Sequence, residues 1–82
     1  MEKIFEQAML YDFYGELLKD NQKEVFENYV LDNLSLSEIA EERNISRQAV
    51  YDMIKRADRA LNEYEDKLHL LEKFLTIKED VN

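Results

Sequence analysis

Apolar residues crowd the first twenty positions of this sequence. Ile4, Phe5, Ala8, Met9, Leu10, Tyr11, Phe13, Tyr14, Leu17 and Leu18 cover most of the circumference of a helix predicted from Glu2 to Lys19. A small bundle buries one stripe of such a helix rather than nearly all of it. It is therefore either a central helix touching several neighbours or one that also meets a second subunit. Asp20-Asn21 breaks the pattern, with Asn21 as cap and Glu24 as reciprocal partner of a second helix. Val25, Phe26, Tyr29 and Val30 form its apolar face, and Asp32-Asn33 ends it. A short third helix follows, with Ser35 as N-cap, Glu38 completing a capping box, Leu34 and Ile39 placed as a staple, and Arg43-Asn44 at its end. Ser46 caps a fourth helix, with Ile45 and Val50 in the staple positions. Leu61, Tyr64, Leu68, Leu71 and Leu75 then recur at spacings of 3, 4, 3 and 4, a helical stripe over about two heptads. No glycine or proline follows Asn44, so the fourth helix and this last segment are either one long bent helix or two.

The 82 residues contain no cysteine, no proline and one glycine. That excludes a disulfide framework, a zinc–thiolate site and a thiol nucleophile, and it argues against a phosphate-cradling glycine loop and a turn-rich β fold. The expectation is an all-α bundle of four to five helices, one domain spanning 1–82. Neither a signal peptide nor a run of about 20 apolar residues is present, so no membrane insertion and a cytoplasmic address are expected.

Leu36 to Lys55 has the layout of a helix-turn-helix, two short helices crossing closely over a three-residue turn. Ile39, Ala40, Ile45, Ala49, Val50 and Ile54 supply the expected core of the unit. The second helix opens with Ser46-Arg47-Gln48 and presents Tyr51, Asp52, Lys55, Arg56 and Arg59 on its other side. In a recognition helix, Gln addresses adenine and Arg addresses guanine, each bidentately, while a helix N-terminus and a serine hydroxyl suit phosphate. Charge qualifies the picture. The chain carries 11 basic against 19 acidic residues, net −8, and so repels polyanions at long range. Residues 45–60 reverse the sign to net +2, with Arg47, Lys55, Arg56 and Arg59 against Asp52 and Asp58. Contact with nucleic acid belongs there, or else contact with a protein, for which Arg and Tyr anchors in an acidic surround are ordinary. Tyr51 either stacks on a base or covers the helix crossing.

No catalytic constellation is read. His69 is the one histidine, too few for a metal site, and reads as a helix-surface or interfacial residue. Glu41-Glu42 and Glu65-Asp66 face different sides of their helices and read as solvated charges. The serines sit at helix starts without a base. No enzyme activity, metal or cofactor is expected.

The string Leu36-Ser37-Glu38-Ile39-Ala40-Glu41-Glu42, followed by Ser46-Arg47-Gln48-Ala49-Val50-Tyr51-Asp52 and Ile54-Lys55-Arg56, resembles the small bacterial YlxM family. Phe13-Tyr14, Leu17-Leu18, Gln22-Lys23, Tyr64-Glu65 and Lys67-Leu68 extend the likeness from about Leu10 to Leu75. The resemblance implies a helix-turn-helix like the promoter-reading end domain of bacterial sigma factors. It places Ser46, Arg47, Gln48, Tyr51, Lys55 and Arg56 on the recognition-helix surface. Family genes commonly neighbour those of the signal recognition particle, which implies a regulatory or accessory role in that pathway. Members run somewhat longer, with a further charged helical tail.

Two functions are thus expected. One is a DNA-binding regulator, with Arg47, Gln48 and Tyr51 in a major groove and Lys55, Arg56 and Arg59 on phosphate. The other is a non-enzymatic accessory protein that binds a signal recognition particle protein or its RNA through the same face. In both, the chain is expected to pair as a homodimer through Phe5, Met9 or Phe13 and part of the Leu68/Leu71/Leu75 stripe.

Overall fold

The computed structural model describes residues 2–80, with side chains through Ile77. It contains five α-helices and no strand among the described residues: α1 (Lys3–Tyr14), α2 (Asp20–Val30), α3 (Leu36–Arg43), α4 (Arg47–Leu68) and α5 (Leu70–Asp80). The all-α bundle expected from the composition is what forms. The core is assembled from Leu10 and Tyr14 of α1, Leu18, Val25, Phe26 and Val30, Ile39 and Ala40 of α3, Val50, Ile54, Ala57 and Leu61 of α4, and Leu71 of α5. α4 is the common support on which α1, α2 and α3 pack, and α5 turns back against α1.

The first helix is shorter than its apolar run suggests. It ends at Tyr14, and Gly15–Leu17 tightens into one 3-10 turn before Leu18 goes extended. The Tyr11 ring explains why glycine stands there. A Cβ on Gly15 would lie 2.7 Å from Tyr11 Cε2, a ring held in place by stacking on Phe26 at 5.8 Å. α2 then starts two residues early, with Lys19 as an N-cap lacking a side-chain bond and Asn21 inside the helix rather than capping it. Burial of Leu18 sets the chain path here, and the local capping preference yields to it.

The third and fourth helices start as their sequence signals specify. The Glu38 amide donates to Ser35 Oγ at 3.1 Å, and the Ser35 amide donates to Glu38 Oε1 at 2.9 Å. The bond from the Ser35 amide, and then the Ser35 side chain, hold the Glu38 carboxyl below its ordinary pKa. Asn44 takes the left-handed conformation at φ 57° and ends α3, and the Ala49 amide donates to Ser46 Oγ at 3.0 Å. Within the helix-turn-helix, Ile39, Ala40, Val50 and Ile54 are buried as expected. Ile45 is not; the turn leaves it exposed at the surface, and Ala49 is only half-buried.

The stripe from Leu61 to Leu75 does not lie on one helix. α4 runs unbroken for 22 residues through Leu68, and the break falls at His69, which adopts φ 57° and caps α4. α5 then folds back, burying Leu71 and half-burying Leu75 within the molecule's own core. Met9 also packs on that core. Of the six residues expected at a subunit interface, Phe5, Phe13 and Leu68 stay exposed.

Candidate nucleic-acid interface

α4 is the element that carries the candidate site, because its inner stripe of Val50, Ile54, Ala57 and Leu61 is buried and fixes which face turns outward. At about 100° per residue, Gln48, Lys55 and Arg59 lie with Asp52 in the middle of that outer face, Arg56 and Tyr51 stand at its two sides, and Arg47 lies beyond Tyr51 at the helix start. Ser46, Arg47, Gln48, Tyr51, Lys55, Arg56 and Arg59 are all exposed. The structure therefore brings Gln48, Tyr51, Lys55, Arg56 and Arg59 onto the outer side of one helix, with Ser46 and Arg47 at its start.

Their partners are few. Among the described residues the ion pairs are Lys23–Glu16, Arg43–Glu24 and His69–Glu72, and none involves a cation of α4's outer face. The Lys55 amine lies 5.7 Å from the centre of the Tyr51 ring, a cation–π contact one helical turn apart. Gln48 Nε2 donates to Asp52 Oδ1 at 3.0 Å, so the acidic residue on this face is engaged by the glutamine, not by Lys55 or Arg56. Tyr51 is 43% exposed and lines a groove together with Leu36 of α3. Arg43, by contrast, is a clamp. It is half-buried and reaches Glu24 on α2 at 3.6 Å, which removes it from the list of available cations.

Arg47 and Gln48 stand in the first turn of α4. The Ser46 hydroxyl satisfies one free amide there, and other N–H groups of the turn still lack helical acceptors. A helix start of this kind, with an arginine and an amide side chain projecting from it, is what a recognition helix offers to base edges and phosphates. The profile of UPF0122, described as "Putative helix-turn-helix protein, YlxM / p13 like", matches residues 1–81. The chain belongs to this family. UPF0122 proteins from Bacillus thuringiensis (strain Al Hakam) and Shouchella clausii (strain KSM-K16) are 55% and 51% identical over 74 and 76 residues. Those stretches are 90% and 93% of this chain, and 67% and 70% of the relatives' lengths. A UPF0122 protein of Acetivibrio thermocellus is 51% identical over 78 residues, 95% of this chain and 67% of its own. The family description and the observed α3–turn–α4 agree on a helix-turn-helix.

The far end of α4 holds the polar group that sequence reasoning misjudged. Glu65 is not a solvated charge. Its carboxylate accepts from the Tyr14 hydroxyl at 2.6 Å and from the Leu71 and Glu72 amides at 3.0 Å each. Burial alone would raise its pKa, but these bonds, led by that from Tyr14, outweigh it and leave the carboxyl below its ordinary value. Burial, and then the bond to Glu65, push the Tyr14 hydroxyl up, so it stays protonated and donates. Its oxygen also accepts from the Leu70 amide at 3.1 Å. The first turn of α5 is thus capped from α1 and α4, 56 and 6 residues away in sequence. Nothing in the local pattern signals a cap supplied at that distance.

Proposed function

We propose that this protein is a DNA-binding regulator that lays the start of α4 in a major groove. Arg47, Gln48 and Tyr51 then face base edges, and Lys55, Arg56 and Arg59 face phosphate. The observation that carries the reading is the outer face of α4, a set of exposed cations without ion pairs in a chain of net charge −8. The half-buried cations Lys23 and Arg43 are paired with carboxylates, whereas this face gathers four exposed cations, Arg47, Lys55, Arg56 and Arg59, on one helix. Binding curves against duplex DNA at several salt concentrations test it. Arg47→Ala or Gln48→Ala is expected to lose selectivity by about 1–3 kcal/mol. Arg59→Ala is expected to weaken all sequences alike and to lower the salt slope by about one unit. Because the surround is acidic, the affinity should be modest and steeply salt-suppressed. Failure of duplex DNA to bind at low salt sinks the proposal.

A second reading has support in Gln48, whose amide is already engaged by Asp52, and in the overall charge. It makes the same face the docking surface of an accessory protein for the signal recognition particle, through that particle's protein or RNA. Binding of either, abolished by Arg47→Ala, in the absence of duplex binding selects this reading.

We also propose that the chain pairs with a second copy. Phe5 and Phe13 of α1 with Leu17 of the following turn, and Leu68 at the end of α4 with Leu70 and Ile77 of α5, are large apolar side chains left exposed. Sedimentation equilibrium at micromolar concentration should return about twice the chain mass of 9.9 kDa; a monomer there refutes it.

A further inference from the structure

Tyr51 stands between two shallow grooves that share it and Leu36 as walls. One, of about 380 Å³, lies beside Arg47 and Gln48 at the start of α4. The other, of about 330 Å³, runs towards the start of α1, with apolar walls from Ile4 and Ile54, a second aromatic wall from Tyr29, and Lys3 and Lys55 beside them. Together they make one trough to which α1, α2, α3 and α4 all contribute. Its described lining includes Lys3, Arg47 and Lys55 and no acidic residue, although acids outnumber bases 19 to 11 in the chain. The two nearby carboxylates on α4 are each engaged by an amide, Asp52 by Gln48 at 3.0 Å and Asp58 by Gln7 at 3.1 Å. Lys3 is exposed and forms no ion pair among the described residues.

We propose that this trough binds an unpaired nucleotide of a nucleic-acid strand, its base against Tyr51 and its phosphates at Lys3, Lys55 and Arg47. The proposal rests on α4 being a nucleic-acid surface, but it names a different form of nucleic acid from the duplex. A half-exposed aromatic ring with flanking cations is the arrangement that holds unstacked bases without regard to their identity, since each base has a π-face and each linkage a charge. The Lys55 amine now lies over the Tyr51 ring. A stacked base takes that place and turns the amine to phosphate, so one contact is exchanged for two. An acidic peptide would satisfy the three cations but would make no use of the planar wall.

Fluorescence anisotropy with a labelled twelve-nucleotide oligo(dT) and, separately, a labelled twenty-base-pair duplex tests the proposal at low salt. Oligo(dT) should bind. Tyr51→Leu, which keeps apolar bulk but loses the ring, should weaken it about tenfold. Lys3→Ala should weaken it severalfold and lower the salt slope by about 0.7, whereas Lys67→Ala, a charge-matched change outside the trough, should leave it within about twofold. Both trough side chains are exposed, and thermal melts of each variant confirm that the fold persists. Duplex binding without oligo(dT) binding overturns the trough and leaves the duplex reading standing. Oligo(dT) binding without duplex binding does the reverse. Oligo(dT) binding that Tyr51→Leu and Lys3→Ala change no more than Lys67→Ala also overturns it. If neither probe binds, both readings fall.

Discussion

The two ends of α4 treat their polar side chains in opposite ways. At its C-terminal end, Glu65 accepts three hydrogen bonds, Tyr14 both donates and accepts, and His69 Nδ1 lies 2.9 Å from Glu72. Groups from three helices satisfy one another there, and the product is a docked α5. At the N-terminal end, Ser46 caps the helix and Gln48 meets Asp52, while Arg47 there and Arg56 and Arg59 in the helix middle engage no other described residue through a hydrogen bond or ion pair. Polar groups that close on themselves stabilise the fold; charged groups left open to water add little to it and are available to a partner. One helix thus serves as a structural joint at one end and as a binding surface at the other.

The comparison breaks most visibly at Glu65. Glu65→Ala should destabilise the fold by about 2–3 kcal/mol, because three donors lose a charged acceptor at once. Chemical denaturation measures it, and a loss under about 0.5 kcal/mol would show that water replaces the carboxylate without cost. The same group predicts an acid dependence. Its folded-state pKa lies below the ordinary carboxylate value, so the unfolded chain binds the proton more readily. The stabilisation is therefore complete above that ordinary value, roughly pH 4.3, and fades as pH falls through the lower folded one. Glu38 adds to this in the same direction. Glu65→Gln should make stability between about pH 5 and 3 shallower than in the parent, and parallel curves would remove Glu65 as the cause.

Next in size is the helix crossing that presents α4. Ala40 is 8% exposed, and Ala40→Leu should cost about 1–3 kcal/mol by overpacking; a neutral result would mean that the α3–α4 crossing has room to spare. Ser46→Ala removes the acceptor of the Ala49 amide and should cost about 1 kcal/mol, read as a shift in denaturation midpoint.

Legibility in the sequence followed the range of the interaction. Ser35, Glu38, Asn44 and Ser46 act within four residues of themselves, and each does what its type and spacing specify. The outer face of α4 was equally legible, because helical periodicity alone assigns sides once Val50, Ile54 and Ala57 are inside. What the sequence concealed depends on distant partners. Gly15 reads as a helix residue until the Tyr11 ring is found over it. His69 has no breaker signal of its own, and α4 ends there where Glu65 and Tyr14 receive the first turn of α5. Leu71 and Leu75 read as a surface stripe only because the reversal at His69 is invisible in a heptad count. Lys3 lies 48 residues from Tyr51, and only the packing of α1 on α4 makes them neighbours.

The smallest expected effect is the one that sharpens the comparison furthest. Arg56→Gln and Arg59→Gln, made together, should shift stability by no more than about 0.5 kcal/mol, since neither side chain has a bond to lose. The direction is set by charge. Removing two cations takes the net charge from −8 to −10, which adds self-repulsion to the compact state. Any loss should therefore be slight and should vanish when salt screens it. The same double variant should weaken duplex binding strongly at low salt and reduce its salt slope by about two units. Thermal melts and binding curves at matched salt give both readings from one protein preparation. A large, salt-insensitive loss of stability would mean that the arginines are structural after all, and α4's two ends would then differ only in degree.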